Sequence, residues 1–433
     1  CCAPRWRSIL NWQMVKNLTH VQIGAFLALL IVAVMPNLGL KHGVSPALPA
    51  ALLALLGGWL VWKQRVAVFA ALSTRRLTIV FALLLVPVLI SIPGSYDVRY
   101  SSNVAMALVA YYFAGLALVR VLHDDTERAW LAKWILFVLA FWVVDSLIQY
   151  LFGTDLFGIP RTADLRVLGP FKDSLRQPTL IALLLPVALW FLLRKGALPM
   201  LTFFTAAGFV AMLGGVRMVF IMLVIVAAGL YIKLPRWRWK LPSLLLAFAL
   251  LLTAMSQSPS MQIRMKRMSE IRDLNFETIN LPLGYRPVIW ETASHMLIAR
   301  PLTGVGVGAF AKAYDDFSTR ESDVFHSRVG VKVYHAHQAY FSMAAETGWP
   351  GLIGLLVAIG LCVKWYLAAS PERRNQAWPY ALGLSVYFFP FNTQPPLYHG
   401  NWLFPVILLL FATLLAALDG EPSTKDTNVP ERV

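Results

Sequence analysis

The residues of this chain that could do chemistry concentrate in its C-terminal third. The stretch Tyr334-His335-Ala336-His337-Gln338-Ala339-Tyr340-Phe341 holds two of the eight histidines and runs on through Glu346-Thr347-Gly348-Trp349-Pro350-Gly351. It closes the one long charged segment of an otherwise apolar chain, and apolar sequence resumes from Leu352 to Tyr366. Histidines at i and i+2 do not share a helix face, so they do not form the i, i+4 pair of a helical metal site. Asp315-Asp316 is the nearest acidic pair, and adjacent carboxylates in a polar loop read as solvent-exposed. No catalytic metal and no cofactor is expected. What His337 can do alone is accept a proton, because imidazole ionises close to neutral pH. His337 is the candidate catalytic base, and His335, Gln338 and Tyr340 are its candidate supports.

The arginines of the outer-side segments are the other candidates, because a guanidinium can contact phosphate oxygens through its fork. Arg217 follows Gly214-Gly215-Val216 at the start of an apolar run, where it either snorkels to the interface or faces a polar cavity. Arg286, in Gly284-Tyr285-Arg286-Pro287, stands at an expected helix N-terminus. It reads either as a solvated charge or, with that terminus, as an anion site. Arg161 and Arg166 bracket Asp164, which gives each a local salt bridge as its plainer role. Gly304-Val305-Gly306-Val307-Gly308 lacks the preceding strand of a dinucleotide fingerprint and reads as a close-packed turn.

These residues must be positioned by a chain that is 58% hydrophobic and only 14% charged. Soluble domains carry about 25% charged residues, so the composition excludes an ordinary soluble fold and indicates a polytopic membrane protein. Its formal net charge of +16 does not imply nucleic acid, because basic residues of membrane proteins collect in cytoplasmic loops. Cys1, Cys2 and Cys362 suggest no disulfide framework. Apolar runs predict about twelve helices of roughly 20 residues, at 21–39, 45–62, 77–93, 104–120, 130–151, 176–193, 197–213, 217–233, 241–256, 351–368, 376–393 and 402–418. The run from Val21 reads as a span and not as a cleavable leader. Lysine and arginine fall on alternate short loops, which places both termini in the cytoplasm.

The expected organisation is all-α. An N-terminal transmembrane bundle covers 1–256, a helical periplasmic segment 257–350, three further spans 351–418, and a cytoplasmic tail 419–433. Within the periplasmic segment, Arg264-Met265-Lys266-Arg267-Met268 predicts an interfacial helix. Trp290, Ala293, Met296 and Leu297 predict a second, and residues 337–347 a third that stops at Gly348 and Pro350. Gln257 to Ser260 and Asp315 to Ser327 read as mobile connections.

Four stretches together resemble the O-antigen ligase family, which shares its membrane domain with O-antigen polymerases and protein O-oligosaccharyltransferases. They are Arg166-Val167-Leu168-Gly169-Pro170-Phe171; Gly215-Val216-Arg217; Arg286-x-x-x-Trp290 with Pro301-Leu302-x-Gly304-x-Gly306; and His337-Gln338-Ala339-Tyr340-Phe341 with Glu346-x-Gly348. Gln338 stands where the family commonly has Asn, and Lys172-Asp173-Ser174 departs from its usual Asn-Pro-Asn-like continuation. The resemblance implies a catalytic His337, functional arginines at Arg217 and Arg286, and by extension at Arg166 and Arg161. It implies a donor glycan on undecaprenyl pyrophosphate and a sugar hydroxyl of lipid A-core as acceptor, in the bacterial inner membrane with the site facing the periplasm. The activity implied is an inverting, metal-independent transfer for lipopolysaccharide biosynthesis. The polymerase and the protein transferase are rival readings within that superfamily, and a secondary transporter is the rival from another class.

Overall fold

The computed structural model describes residues 12–36, 45–172, 174–234, 237–257, 283–320, 323–327, 332–398 and 402–419, with scattered positions between 258 and 282. Among these residues the regular elements are helices, and the single β feature is a bridge between Thr154 and Pro160. The proposed interfacial helix at 264–268 and the tail beyond 419 lie outside the described residues.

The N-terminal part consists of α1 (Trp12–Ala33), α2 (Ala47–Ala70), α3 (Leu72–Ser91), α4 (Val98–Val121), α5 (Asp125–Phe152), α6 (Arg176–Leu193), α7 (Ala197–Leu213), α8 (Arg217–Lys233) and α9 (Trp237–Gln257). Three shorter helices follow, α10 (Arg286–Ala299), α11 (Phe310–Phe317) and α12 (Val324–Ser327). The chain ends in α13 (Ala339–Ala368), α14 (Pro371–Phe388) and α15 (Leu403–Asp419). A backbone in lipid must bond within its own segment, which is why apolar runs of this length fold as helices.

Among the described residues, six helices, α2 to α6 and α13, are long and apolar enough to cross a membrane. The chain is a multi-pass helical membrane protein. Length and apolarity alone do not reach the expected count of about twelve spans. The helices α7, α8 and α15 have 17 residues each, and α14 opens with Glu372, Arg373 and Arg374.

Small residues let these helices touch backbone to backbone. A Cβ on Gly57 of α2 would overlap the Phe113 carbonyl of α4, and one on Gly354 of α13 would overlap the Leu83 carbonyl of α3. Gly383 of α14 meets the Leu183 carbonyl of α6 in the same way. A continuous apolar core joins these elements, with Leu116, Leu118, Leu183 and Leu409 at most 1% exposed.

A second apolar cluster binds α10, α11 and the start of α13, with Ile289, Met296, Phe310, Val305, Ala336 and Ala345 at its centre. Residues 315–327 are therefore not a bare connection. Residues through Phe317 belong to α11, Val324–Ser327 form α12, and buried Asp323 accepts from the Tyr314 and Ser318 hydroxyls and the Phe325 amide. Asp315 and Asp316 are exposed, as the sequence suggested.

The helix expected to stop at Gly348 does break there, because Gly348 is non-helical (φ +67°, ψ −167°), and a second helical segment resumes directly after it and runs to Ala368. Only glycine adopts that backbone readily, and Pro350 falls near the start of the new segment, where a missing N–H is tolerated. The bend receives the turn after α10, and the Trp349 amide donates to the Pro301 carbonyl at 2.8 Å.

Candidate active site

The glycine-rich turn fixes where the histidine stretch lies. Gly304, Gly306 and Gly308 all have positive φ, and a Cβ on Gly304 would run into the backbone of Ala345 to Thr347. Val305 and Gly306 donate to the Ala345 and Glu346 carbonyls at 2.9 and 3.0 Å, and the Gly308 amide donates to the buried Glu346 carboxylate at 2.9 Å. The Val305 carbonyl in turn accepts from Tyr96 at 3.0 Å, in the connection between α3 and α4. The turn thus pins the first half of α13 to the bundle, and Glu346 is the pin.

His337 precedes α13 by two residues. Gln338 caps that helix, its side-chain oxygen accepting from the Phe341 amide at 2.7 Å. Trp290 of α10 donates its indole N–H to the Ala336 carbonyl at 2.9 Å and stacks on Phe341 with ring centroids 5.5 Å apart. Held on both sides, His337 takes φ +51°, a conformation a β-carbon disfavours. Its amide donates to His335 Nδ1 at 3.1 Å, and the two rings lie 4.1 Å apart. His335 Nδ1 is therefore an acceptor, which leaves its proton on Nε2 when the ring is neutral.

His337 opens into a cavity of about 570 Å³ that also takes in Arg166, Arg176, Arg217, Arg286, Thr393, Gln394 and Trp402. Among the described residues, no carboxylate lines it. Three of the arginines share a placement: Arg176, Arg217 and Arg286 are the first residues of α6, α8 and α10. Helix N-termini carry unpaired N–H groups and partial positive charge. Left-handed turns set two of them, Gly215 (φ +67°) before α8 and Gly284-Tyr285 (φ +67° and +59°) before α10. Arg166, Arg217, Arg286 and His337 are half-buried, and Arg176 is exposed. Arg166 reaches Asp164 at 3.4 Å, as its neighbours in sequence suggested, while its Nε is buried without a hydrogen-bond partner. The cavity thus gathers four guanidinium groups with an imidazole at its edge.

The other expected site residues lie elsewhere. Arg161 donates from Nε to the Gln149 carbonyl at 3.1 Å and from its terminal nitrogen to the Tyr150 carbonyl, and it stacks over the Tyr150 ring. It closes the C-terminal end of α5, where a cation meets the helix dipole, and does not line the cavity. Gln338 Nε2 donates to the Pro390 carbonyl at 2.8 Å, and the Tyr340 hydroxyl to the Phe388 carbonyl at 2.5 Å. Both tie α13 to the end of α14 and so place the 389–402 connection that supplies Thr393 and Gln394. Trp290 and Phe310 pack in the second apolar cluster.

Arg176, Thr393, Gln394 and Trp402 escaped the sequence reading. The Arg176 guanidinium lies 5.6 Å from the Trp402 ring centroid. Arg176 carried the same signal as Arg217, a lone basic residue at the start of an apolar run. Nothing in the uncharged stretch around Thr393 marked it as cavity wall, although its hydroxyl is buried and unpartnered among the described residues.

The arginine-lined cavity and its histidine are set in a multi-pass helical membrane bundle. Residues 201–356 match the family model described as O-antigen ligase. Over these residues the chain is similar to the O-antigen ligase family. The match spans Arg217, Arg286 and His337, while Arg166 and Arg176 join them from outside it. No curated protein matches the chain.

Proposed function

We propose that this protein is an O-antigen ligase that moves a glycan from undecaprenyl pyrophosphate to a sugar hydroxyl of lipid A-core, with inversion and without metal. The observation that carries the reading is the convergence of Arg166, Arg217, Arg286 and His337 on one cavity. The arginines and helix N-termini neutralise the pyrophosphate as it gains charge, the role that a divalent cation plays elsewhere. His337 takes the proton of the acceptor hydroxyl. The hydroxyl oxygen forms its bond to the anomeric carbon from the face opposite the pyrophosphate. The bond from that carbon to the pyrophosphate oxygen breaks, and its electron pair leaves with undecaprenyl pyrophosphate.

Both substrates are lipids, so the protein works within the bilayer. In this reading α1, α7, α8, α9, α14 and α15 cross alongside the six long helices, giving about twelve spans. The basic short loops support cytoplasmic termini and a periplasmic site in the inner membrane. The domain limits at 256, 350 and 418 belong to the same reading.

The test is transfer by purified protein from a lipid-linked glycan to three acceptors: core lipid, lipid-linked repeat and a pilin-like protein. Core lipid should be glycosylated, and His337→Ala should abolish it. Transfer only to lipid-linked repeat would make the protein a polymerase, and transfer only to protein an oligosaccharyltransferase. Movement of substrate without transfer would refute the enzyme.

A further inference from the structure

Arg166 is carried on the irregular stretch between α5 and α6, which buried Asp145, Asp155 and Gln149 hold, Gln149 alone bonding both of its arms. Gln149, 1% exposed, stands a turn before the end of α5. Its Nε2 donates to the Ile159 and Pro160 carbonyls at 3.1 and 3.2 Å, and its Oε1 accepts from the Leu168 and Gly169 amides at 2.9 Å each. A primary amide has two N–H donors and two acceptor lone pairs, and Gln149 has all of them engaged. It therefore closes the outgoing and returning arms of the loop onto α5. No other side chain replaces it: glutamate lacks the donors, leucine lacks both, and asparagine is a methylene short.

Arg166 sits between those arms. Its amide donates to Thr162 Oγ1 at 3.0 Å, and its carbonyl accepts from the Thr162 amide at 3.2 Å. The next residue, Val167, donates to the Leu213 carbonyl at 3.3 Å, at the end of α7 and just before the turn that leads into Arg217. The second arm is equally constrained. Gly169 has φ +48°, and a Cβ there would overlap Ser146 Oγ, which itself accepts from Gln177 Nε2 at 2.6 Å beside Arg176. A single face of α5 thus sets the spacing of Arg166 against both Arg176 and Arg217.

We propose that Gln149 is a positioning residue for the anion site: its four hydrogen bonds set the loop that delivers Arg166 to the pyrophosphate. The proposal rests on the reading that Arg166 contacts the donor pyrophosphate, and the experiment separates the two. Undecaprenyl pyrophosphate serves as probe, and its Kd is measured by filter binding to the full chain in nanodiscs. The variants are Gln149→Glu, Arg166→Ala and the double variant. Gln149→Glu keeps the acceptors for Leu168 and Gly169 and repels the Ile159 and Pro160 carbonyls. It should weaken binding by roughly 10-fold or more, the size seen when a group that orients a ligand-binding residue is lost. In the Arg166→Ala background the same substitution should have no further effect, because the residue it positions is gone.

Additive effects would overturn positioning, since a merely structural loss does not depend on Arg166. If Arg166→Ala weakens binding and Gln149→Glu does not, positioning fails while the donor-site reading stands. If Arg166→Ala leaves Kd unchanged, both fail. Should the carboxylate variant not accumulate, hydrogen exchange of the unsubstituted protein decides. The Leu168 and Gly169 amides should exchange slowly without the probe, and fast exchange there would overturn the clamp.

Discussion

Replacing Arg286 by lysine keeps the positive charge and removes the fork. Arg286 opens α10 behind two left-handed residues, so its stem leaves the backbone at a set angle and reaches the cavity half-buried. The remaining arginines, Arg166, Arg176 and Arg217, still line the cavity, so the field on the pyrophosphate changes little. What is lost is the second of two parallel N–H donors. A hydrogen bond to a charged group contributes about 1.5–3 kcal/mol, which corresponds to roughly 10- to 160-fold in kcat/KM. Arg161→Lys is the matched control: Arg161 closes α5 and does not line the cavity, so its replacement should lower the thermal midpoint and leave kcat/KM within about 3-fold. The assay is transfer from a fluorescent lipid-linked glycan to core lipid by purified protein in nanodiscs, followed by gel shift. Normal activity in Arg286→Lys, or an equal loss in Arg161→Lys, would refute the assignment of the cavity arginines to the leaving group.

Three further outcomes are expected. His337→Ala should lower kcat by about 10²- to 10⁴-fold, the usual worth of a general base, while the Kd for undecaprenyl pyrophosphate stays unchanged; a parallel loss of binding would make His337 a ligand of the donor instead. Gly304→Ala should destabilise by at least about 1–3 kcal/mol, because its positive φ and the backbone of Ala345 to Thr347 both oppose a Cβ; a thermal midpoint equal to that of the parent would contradict the pinned turn. Lys312 at 2.7 Å, and next the Tyr100 amide, hold the Asp97 carboxyl below the usual carboxylate range. A depressed folded-state value means stability that is present above the unfolded aspartate pKa of about 3.9 and lost as pH falls through the folded one. The difference in thermal midpoint between the parent and Asp97→Asn should therefore shrink as pH drops below about 4, and a difference independent of pH would count against the ion pair.

Much of the architecture was legible because lipid leaves a helix few alternatives. Helices occupy all of the predicted apolar runs that lie among the described residues, and Arg286 does start a helix, as its Gly-Tyr-Arg-Pro setting suggested. The reading failed where a local signal meets a tertiary partner. Gly348 and Pro350 marked a real break, but nothing local showed that a second helical segment follows at once or that the turn at Pro301 sits in the bend. Arg161 and Arg166 looked alike, five residues apart beside one aspartate. Only the path of the loop over Gln149 turns one toward the helix end and the other into the cavity.

Sequence alone determined the class of chain, the candidate base and the kind of group it would work beside, because composition, spacing and residue chemistry are local properties. It also demoted the metal reading, since histidines at i and i+2 cannot share a helix face. Tertiary structure decided which arginines belong to the site. Arg166, Arg176, Arg217, Arg286 and His337 come from stretches up to 171 positions apart in the chain, and the cavity that gathers them exists only where α6, α8, α10 and the start of α13 present their N-terminal ends together. No local pattern encodes that convergence, because it is set by glycine contacts, the Glu346 pin and the Gln149 clamp, each joining residues distant in sequence.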